Sequence, residues 1–330
     1  VYTTQLDLSS GKFSDAKLAF KSKDPTYLAI SSNQVIYGAM RESSGMLTAV
    51  SYNKHDKSKP FNLVNKADTQ GTAPCYVSLS GDEKHIAVAN YNGANMSIFA
   101  VSPSGEIETS AQVFTHQGKS INTQRQNSPH PHWVRWSPHH PEFIYVVDLG
   151  IDKVMKYTFD AANNKVTDTA VAFTSKPGAG PRHLVFHPTK KLAYILNELS
   201  NTVDFVKIES DGTFTFINQE STLPVGYKKH NQSAHIAISK NGKNLYTSNR
   251  GLNSIAIFSL DNEGNMTLTE NVDTGGDWPR FFNLLEKEGY LLVANKNSNN
   301  IVSFKIKADG GLTKTSHQLL VDQPTFIDKY

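Results

Sequence analysis

A unit of four short strands recurs along the chain at steps of 45 to 57 residues. No stretch keeps a helical hydrophobic period beyond about three turns, and no apolar run approaches the ~18 residues of a spanning helix. Together these observations predict an all-β fold in which one strand meander repeats around an axis, a β-propeller.

The copies are aligned on their first strands. These begin at Pro25 (PTYLAIS), Pro74 (PCYVSLS), Pro131 (PHWVRWS), Pro181 (PRHLVFH), Ser233 (SAHIAIS) and Pro279 (PRFFNLL), with a partial copy at Pro324 (PTFIDKY). The second strands are more apolar: VIYGAM, HIAVAN, FIYVVD, LAYILN, NLYTSN and YLLVAN. Third strands such as TVDFVKI and SIAIFSL alternate, and a weaker, more polar fourth strand such as FTFINQE follows each. A meander of this size cannot bury both of its faces alone, and radial packing supplies the second face. Six full copies and a partial one predict a seven-bladed β-propeller of four-stranded antiparallel blades, with the last blade split between the N- and C-termini. PTFIDKY is expected as its inner strand, and VYTTQLD and DAKLAFK as its outer strands. On this reading residues 1–330 form one domain. The central strand of the split blade is expected upstream of Val1.

Composition narrows the function. The 33 basic and 30 acidic residues leave a net charge of +3, too small an excess to argue for nucleic acid or a membrane surface. The lone cysteine, Cys75, excludes an internal disulfide and a cysteine metal cluster, and it fits a reducing compartment. There is no serine elbow, no phosphate loop and no zinc-protease helix, so covalent hydrolase and nucleotide chemistry are not indicated.

Chemistry is sought where the copies differ. In a propeller the start of the inner strand and the end of the second strand meet at one rim of the central channel. After the entry proline stand Thr26, Cys75, His132, Arg182, Ala234 and Arg280. The second strands end in the pairs Arg41-Glu42, Asn90-Tyr91, Asp148-Leu149, Asn197-Glu198, Asn249-Arg250 and Asn295-Lys296. The first member is mostly Asn or Asp, as a turn requires. The second member varies, which the fold does not demand. Glu198, Arg250, Glu42 and Lys296 would therefore place charges around one mouth, beside Arg182, Arg280 and His132. His130 and His132 share one face of an extended segment and suggest either a two-histidine metal corner or a polar substrate site. No carboxylate stands at a convincing ligand spacing, so the polar site is favoured, with no metal and no other cofactor. Alternation turns His183 and His235 away from the residues beside them, as structural side chains. The long polar connection between Val113 and Pro129 holds Arg125, a possible ligand donor, and Tyr91 faces the same rim.

A mouth of arginines with one glutamate and one histidine suits a small anionic substrate, since a guanidinium fork matches carboxylate or phosphate. For lactone hydrolysis, Glu198 would activate water, Arg182 would hold the oxyanion and His132 would protonate the leaving hydroxyl.

The ordered segments PCYVSLSGDEKHIAVANYNG, INTQRQNSPHPHWVRWSP, GPRHLVFHPTKKLAYILNELSNTV and AHIAISKNGKNLYTSNRGLNSIAIF carry a resemblance over essentially the whole chain. The sequence resembles the seven-bladed propeller lactonases, the cycloisomerase-type 6-phosphogluconolactonases related to fungal 3-carboxy-cis,cis-muconate lactonizing enzyme. The resemblance implies a cytoplasmic enzyme acting on an anionic lactone of a carbohydrate or an aromatic acid; a monomer or weak homodimer is expected, and the small net charge gives no nucleic-acid or membrane partner. It implies a catalytic set of His132, Arg182, Glu198 and Arg250, and the rim comparison adds Arg280, His130, Glu42, Tyr91, Arg125 and Lys296 as substrate-binding residues. One departure stands out: Phe281 occupies a position where the resemblance expects histidine. Lactone hydrolysis, lactone formation by cycloisomerisation and a non-enzymatic binding ring all remain open at this point.

Overall fold

The computed structural model describes residues 1–42 and 44–330. Among them, six four-stranded antiparallel sheets follow one another in chain order, each a simple meander. Their inner strands are Pro25–Ile30, Pro74–Leu79, Pro131–Trp136, Pro181–Phe186, Gln232–Ile238 and Pro279–Leu285. Their second strands, Val35–Met40, His85–Asn90, Phe143–Asp148, Leu192–Asn197, Asn244–Arg250 and Tyr290–Asn295, are buried almost throughout. A near-continuous apolar run is what a strand covered on both faces requires. We number these sheets blades 1 to 6.

Blades are joined to their neighbours by a repeated polar contact inside an apolar interface. Tyr37, Tyr145, Tyr194 and Tyr246 sit at the third position of their second strands. Each donates its hydroxyl to a glycine carbonyl in the following blade: Gly105 (3.0 Å), Gly212 (2.8 Å), Gly264 (2.7 Å) and Gly310 (2.8 Å). These glycines hold φ between 78° and 89°, which L side chains rarely adopt. The bond satisfies a hydroxyl that the packed rings would otherwise bury unpaired.

The expected seventh, split blade is not formed. Tyr2–Thr3 pairs only with Lys17–Leu18, as a two-stranded ribbon, and residues 324–330 pair with no strand. Both terminal segments lie between blades 6 and 1 and hold on by other means. Phe326 packs its ring on Tyr27 (4.3 Å between centroids) and Phe281 (4.6 Å), while Thr325 Oγ1 donates to Pro25 O (3.2 Å). Tyr290 donates to Leu8 O, and Ser303 Oγ to Gly11 O. The partial repeat suggested strands here, but a strand needs a backbone ladder on at least one edge. These segments anchor by side chains and single hydrogen bonds instead.

A second regularity positions the site. In blades 1 to 4 and 6 the ladder between inner and second strands slips immediately after the entry proline, and in blade 5 it slips after Ser233. A bulge leaves an unpaired residue and re-aims its side chain. The bulged residues are Thr26, Cys75, His132, Arg182, Ala234 with His235, and Arg280. The slip also breaks the alternation expected for His183 and His235. They meet each other, their Nδ1 atoms 3.0 Å apart.

Candidate active site

Glu198 is the centre of the cluster. It follows the second strand of blade 4, where its N–H donates to Gly180 O (2.7 Å). The side chain is 3% exposed and meets three guanidinium groups. Oε1 takes Arg125 Nη2 at 2.6 Å, while Oε2 lies 3.0 Å from Arg182 Nε and 2.9 Å from Arg250 Nη2. Burial alone would raise the carboxyl pKa. The three positive charges prevail and hold it far below the usual carboxylate range. Glu198 is thus a fixed anion of very low proton affinity.

The arginines are held from behind. Arg182 donates Nη1 to Ala234 O and approaches His183 Nε2 at 3.0 Å. Arg250 donates Nε to Gln232 O (3.1 Å) and Nη2 to Ser233 O (3.1 Å), and its guanidinium lies 5.2 Å from the Trp278 ring centroid. Burial pushes the Arg182 pKa down, and the positive charge of Arg250 and Arg280 pushes it further. Arg280 is pushed down to about 10, first by burial and then by Arg250 and Arg41.

His132 lies beside this cluster on its bulge, buried, with Nδ1 3.8 Å from Cys75 Sγ. Burial first, and the Arg182 charge second, hold its pKa well below the ordinary histidine value, so the ring is neutral at pH 7. Its Nε2 has no hydrogen-bond partner among the described residues. Tyr91 meets the ring edge-on at 5.3 Å and stacks on His130 at 4.3 Å. His130 Nδ1 lies 2.9 Å from Tyr91 O, with its own backbone N–H on Asp148 Oδ1 (2.7 Å), so it braces Tyr91. No group of three His, Cys, Asp or Glu side chains converges as a metal site among the described residues. Burial pushes the Cys75 thiol up to about 11, which makes it a packing residue and not a nucleophile.

The long connection delivers Arg125. Asp152, buried below it, accepts Gln126 Nε2 and Gly180 N (2.7 Å each) on Oδ1, and Gly178 N (2.7 Å) and Ser120 Oγ on Oδ2. One carboxylate thereby ties the loop to the turn that starts blade 4's inner strand. Asp152→Ala is expected to leave these donors unpaired, at a cost of at least about 2 kcal/mol. Substrate KM should rise more than kcat falls, as Arg125 loses its place; denaturant unfolding and steady-state kinetics check both.

Below the arginines the channel is plugged by rings. Tyr27 stacks on Tyr76 (4.0 Å), His183 meets Tyr76 (5.4 Å) and His132 (5.4 Å), and His235 packs on Phe281 (4.1 Å). Phe281 is 6% exposed and serves this packing. A cavity of about 280 Å³ opens on the far side of the plug, lined by Tyr27, Tyr76, Trp133, His235 and Phe281 among others. A larger depression of about 630 Å³ lies away from the arginines, against Pro224, Val225 and Leu268.

The histidines packed in the channel set an expected pH dependence of stability. His132 and His183 are held well below their ordinary value of 6.5, and His235 is pushed down to about 3, chiefly by burial. Below pH 6.5 the unfolded chain binds protons that the folded chain refuses, so stability falls as pH drops from that point. Melting temperatures between pH 7 and 5 should fall, and His235→Phe should flatten the slope.

The structure brings Glu198, His132, Arg182, Arg250, Arg125 and Tyr91 together, with Arg280 close enough to feel their charge. Lys296 stands half-buried at the matching position of blade 6, its N–H on Trp278 O (3.0 Å). Glu42 does not belong. In blade 1 the register pairs Pro25 with Met40, as Pro181 pairs with Asn197, so Arg41 and not Glu42 is the equivalent of Glu198. Glu42 lies one residue further on, paired with Lys66 Nζ at 2.9 Å. Arg41 was missed because blade 1 lacks the Asn or Asp that marks the strand end elsewhere.

Known proteins share the repeated-blade fold. Residues 1–328 match the family described as "Lactonase, 7-bladed beta-propeller". The described residues of this chain build six four-stranded sheets and a ribbon, against the seven of that description. The chain is 32% identical to a 6-phosphogluconolactonase of Bacillus subtilis (strain 168), over 99% of this chain and 93% of that protein. A crystal structure from Lactobacillus plantarum superposes with TM-score 0.90 at 29% identity, covering 98% of this chain and 92% of that one. The Pseudomonas aeruginosa periplasmic gluconolactonase superposes with TM-score 0.91 at 26% identity, covering 98% and 93%. The repeated blades, the bulged entry residues and the match from residue 1 to 328 place this chain in the propeller lactonase family.

Proposed function

We propose that the protein hydrolyses 6-phosphogluconolactone to 6-phosphogluconate, with water attacking the lactone carbonyl at the arginine-lined mouth. The observation that carries this reading is the buried Glu198 held by three arginines beside a neutral His132. Guanidinium groups with N–H donors to spare in a desolvated site suit an oxyanion, where fixed donors act far more strongly than in water.

The electrostatics favours a division of labour different from the one drawn from sequence. Glu198 is too weak a base to draw a proton from water, and its oxygens are occupied by arginine N–H groups. It anchors Arg182 and Arg250 so that their remaining N–H groups face the developing oxyanion. His132, neutral and with Nε2 free, accepts the proton as the water oxygen bonds to the carbonyl carbon. Its imidazolium, destabilised by burial and by Arg182, then returns that proton to the ring oxygen as the C–O bond breaks. One water is consumed and the product is the open hydroxy acid. The 32% identity to a relative that carries the 6-phosphogluconolactonase name supports the choice of substrate.

The test is the rate of 6-phosphogluconolactone opening against its spontaneous background, with 3-carboxy-cis,cis-muconate assayed in parallel. Acceleration of the first alone supports the proposal. Acceleration of the second alone, or of neither, overturns it.

A further inference from the structure

Glu198 compensates only one side of the mouth. Its oxygens are taken up by Arg125, Arg182 and Arg250, which leaves Arg41 and Arg280 in no ion pair among the described residues. Arg41 follows the second strand of blade 1, three blades from Glu198 around the ring. Its N–H donates to Asp24 O (3.1 Å), the bond that Glu198 makes to Gly180 O, so its side chain leaves the ring at the equivalent place. Arg41 Nε is sealed from solvent and has no hydrogen-bond partner among the described residues. The nearest acid along the chain, Glu42, is engaged by Lys66. Arg280 enters from the bulge of blade 6, half-buried and close enough to Arg41 to feel its positive charge. Lys296 stands on the same blade.

From this asymmetry we infer that Arg41 and Arg280 form a phosphate subsite at the blade 6–blade 1 side of the mouth, distinct from the Glu198 pole where the lactone carbonyl reacts. The inference rests on the lactonase reading for the identity of the substrate. Two adjacent guanidinium forks match the oxygens of a phosphate monoester, and a dianion relieves the repulsion between them. A neutral hydroxymethyl group offers neither. Arg41 is therefore a specificity residue: it selects phosphorylated lactones over their unphosphorylated analogues and takes no part in the bond making at the carbonyl.

The experiment compares kcat/KM for 6-phosphogluconolactone and glucono-δ-lactone in the wild type, Arg41→Met and Arg41→Lys. Arg41→Met is expected to lose about 100-fold on the phosphorylated lactone, mostly in KM, as charged hydrogen bonds are lost. It should change by less than about threefold on the unphosphorylated one, with Arg41→Lys in between. Equal losses on both lactones, or no loss on either, overturn the subsite. Should the wild type open neither lactone, calorimetric binding of 6-phosphogluconate and gluconate still decides. Tighter binding of the phosphorylated acid that Arg41→Met abolishes upholds the subsite while the lactonase reading fails, and equal binding of the two acids overturns it.

Discussion

Glu198→Gln is expected to destabilise the fold by about 3–5 kcal/mol, because it leaves buried guanidinium groups without their counter-charge. Lactone hydrolysis should fall by about 10²–10³ in kcat as Arg182 and Arg250 lose the anchor that aims them. The pH dependence of stability carries a signature of the carboxylate. Its folded pKa lies below the unfolded value of 4.5, so its contribution is present above that pH and is lost as pH falls below it. The glutamine variant should lose this acid limb and keep the one set by the histidines below pH 6.5. Millimolar phosphate should recover more stability in the variant than in the wild type, since a bound anion replaces the missing charge.

His132→Gln is expected to cost about 10²–10⁴ in kcat, the range of a positioned acid–base group. KM should change little, because the arginines that bind the anion stay in place. The wild-type rate should hold through pH 7 and decline on the acid side, below the ordinary histidine value, as the ring takes up a proton that disables it as a base. The glutamine variant should lack this decline. Full activity in the variant would return the proton transfers to another group.

The blades were legible because their signal is local. Six inner strands, six second strands and the turns between them follow from apolar runs such as HIAVAN and LAYILN, whose burial needs only the neighbouring blade. What failed depends on pairing that local pattern does not encode. Residues 324–330 look like a further copy of the inner strand, yet no strand pairs with them, and the described residues build six blades. Glu42 was chosen by counting from a polar strand end that blade 1 replaces with Met40; the hydrogen bond of Arg41 to Asp24 sets the true register. His183 was read as a structural side chain and packs as one, but the bulge after Pro181 breaks the alternation that was to turn it from its neighbours. The charged set itself came through from sequence, since Arg182, Glu198 and Arg250 break a pattern that packing alone would keep uniform. The grip of Arg125 on Glu198 did not, because it relies on Asp152 and Gln126, which belong to no repeat.

The most direct measurement is the initial rate of 6-phosphogluconolactone opening at pH 7 for wild type, Glu198→Gln and His132→Gln, each referred to the buffer rate. The wild-type rate is expected well above the buffer rate, with both variants falling by the factors given above. A wild-type rate equal to buffer, or variants equal to wild type, would contradict this.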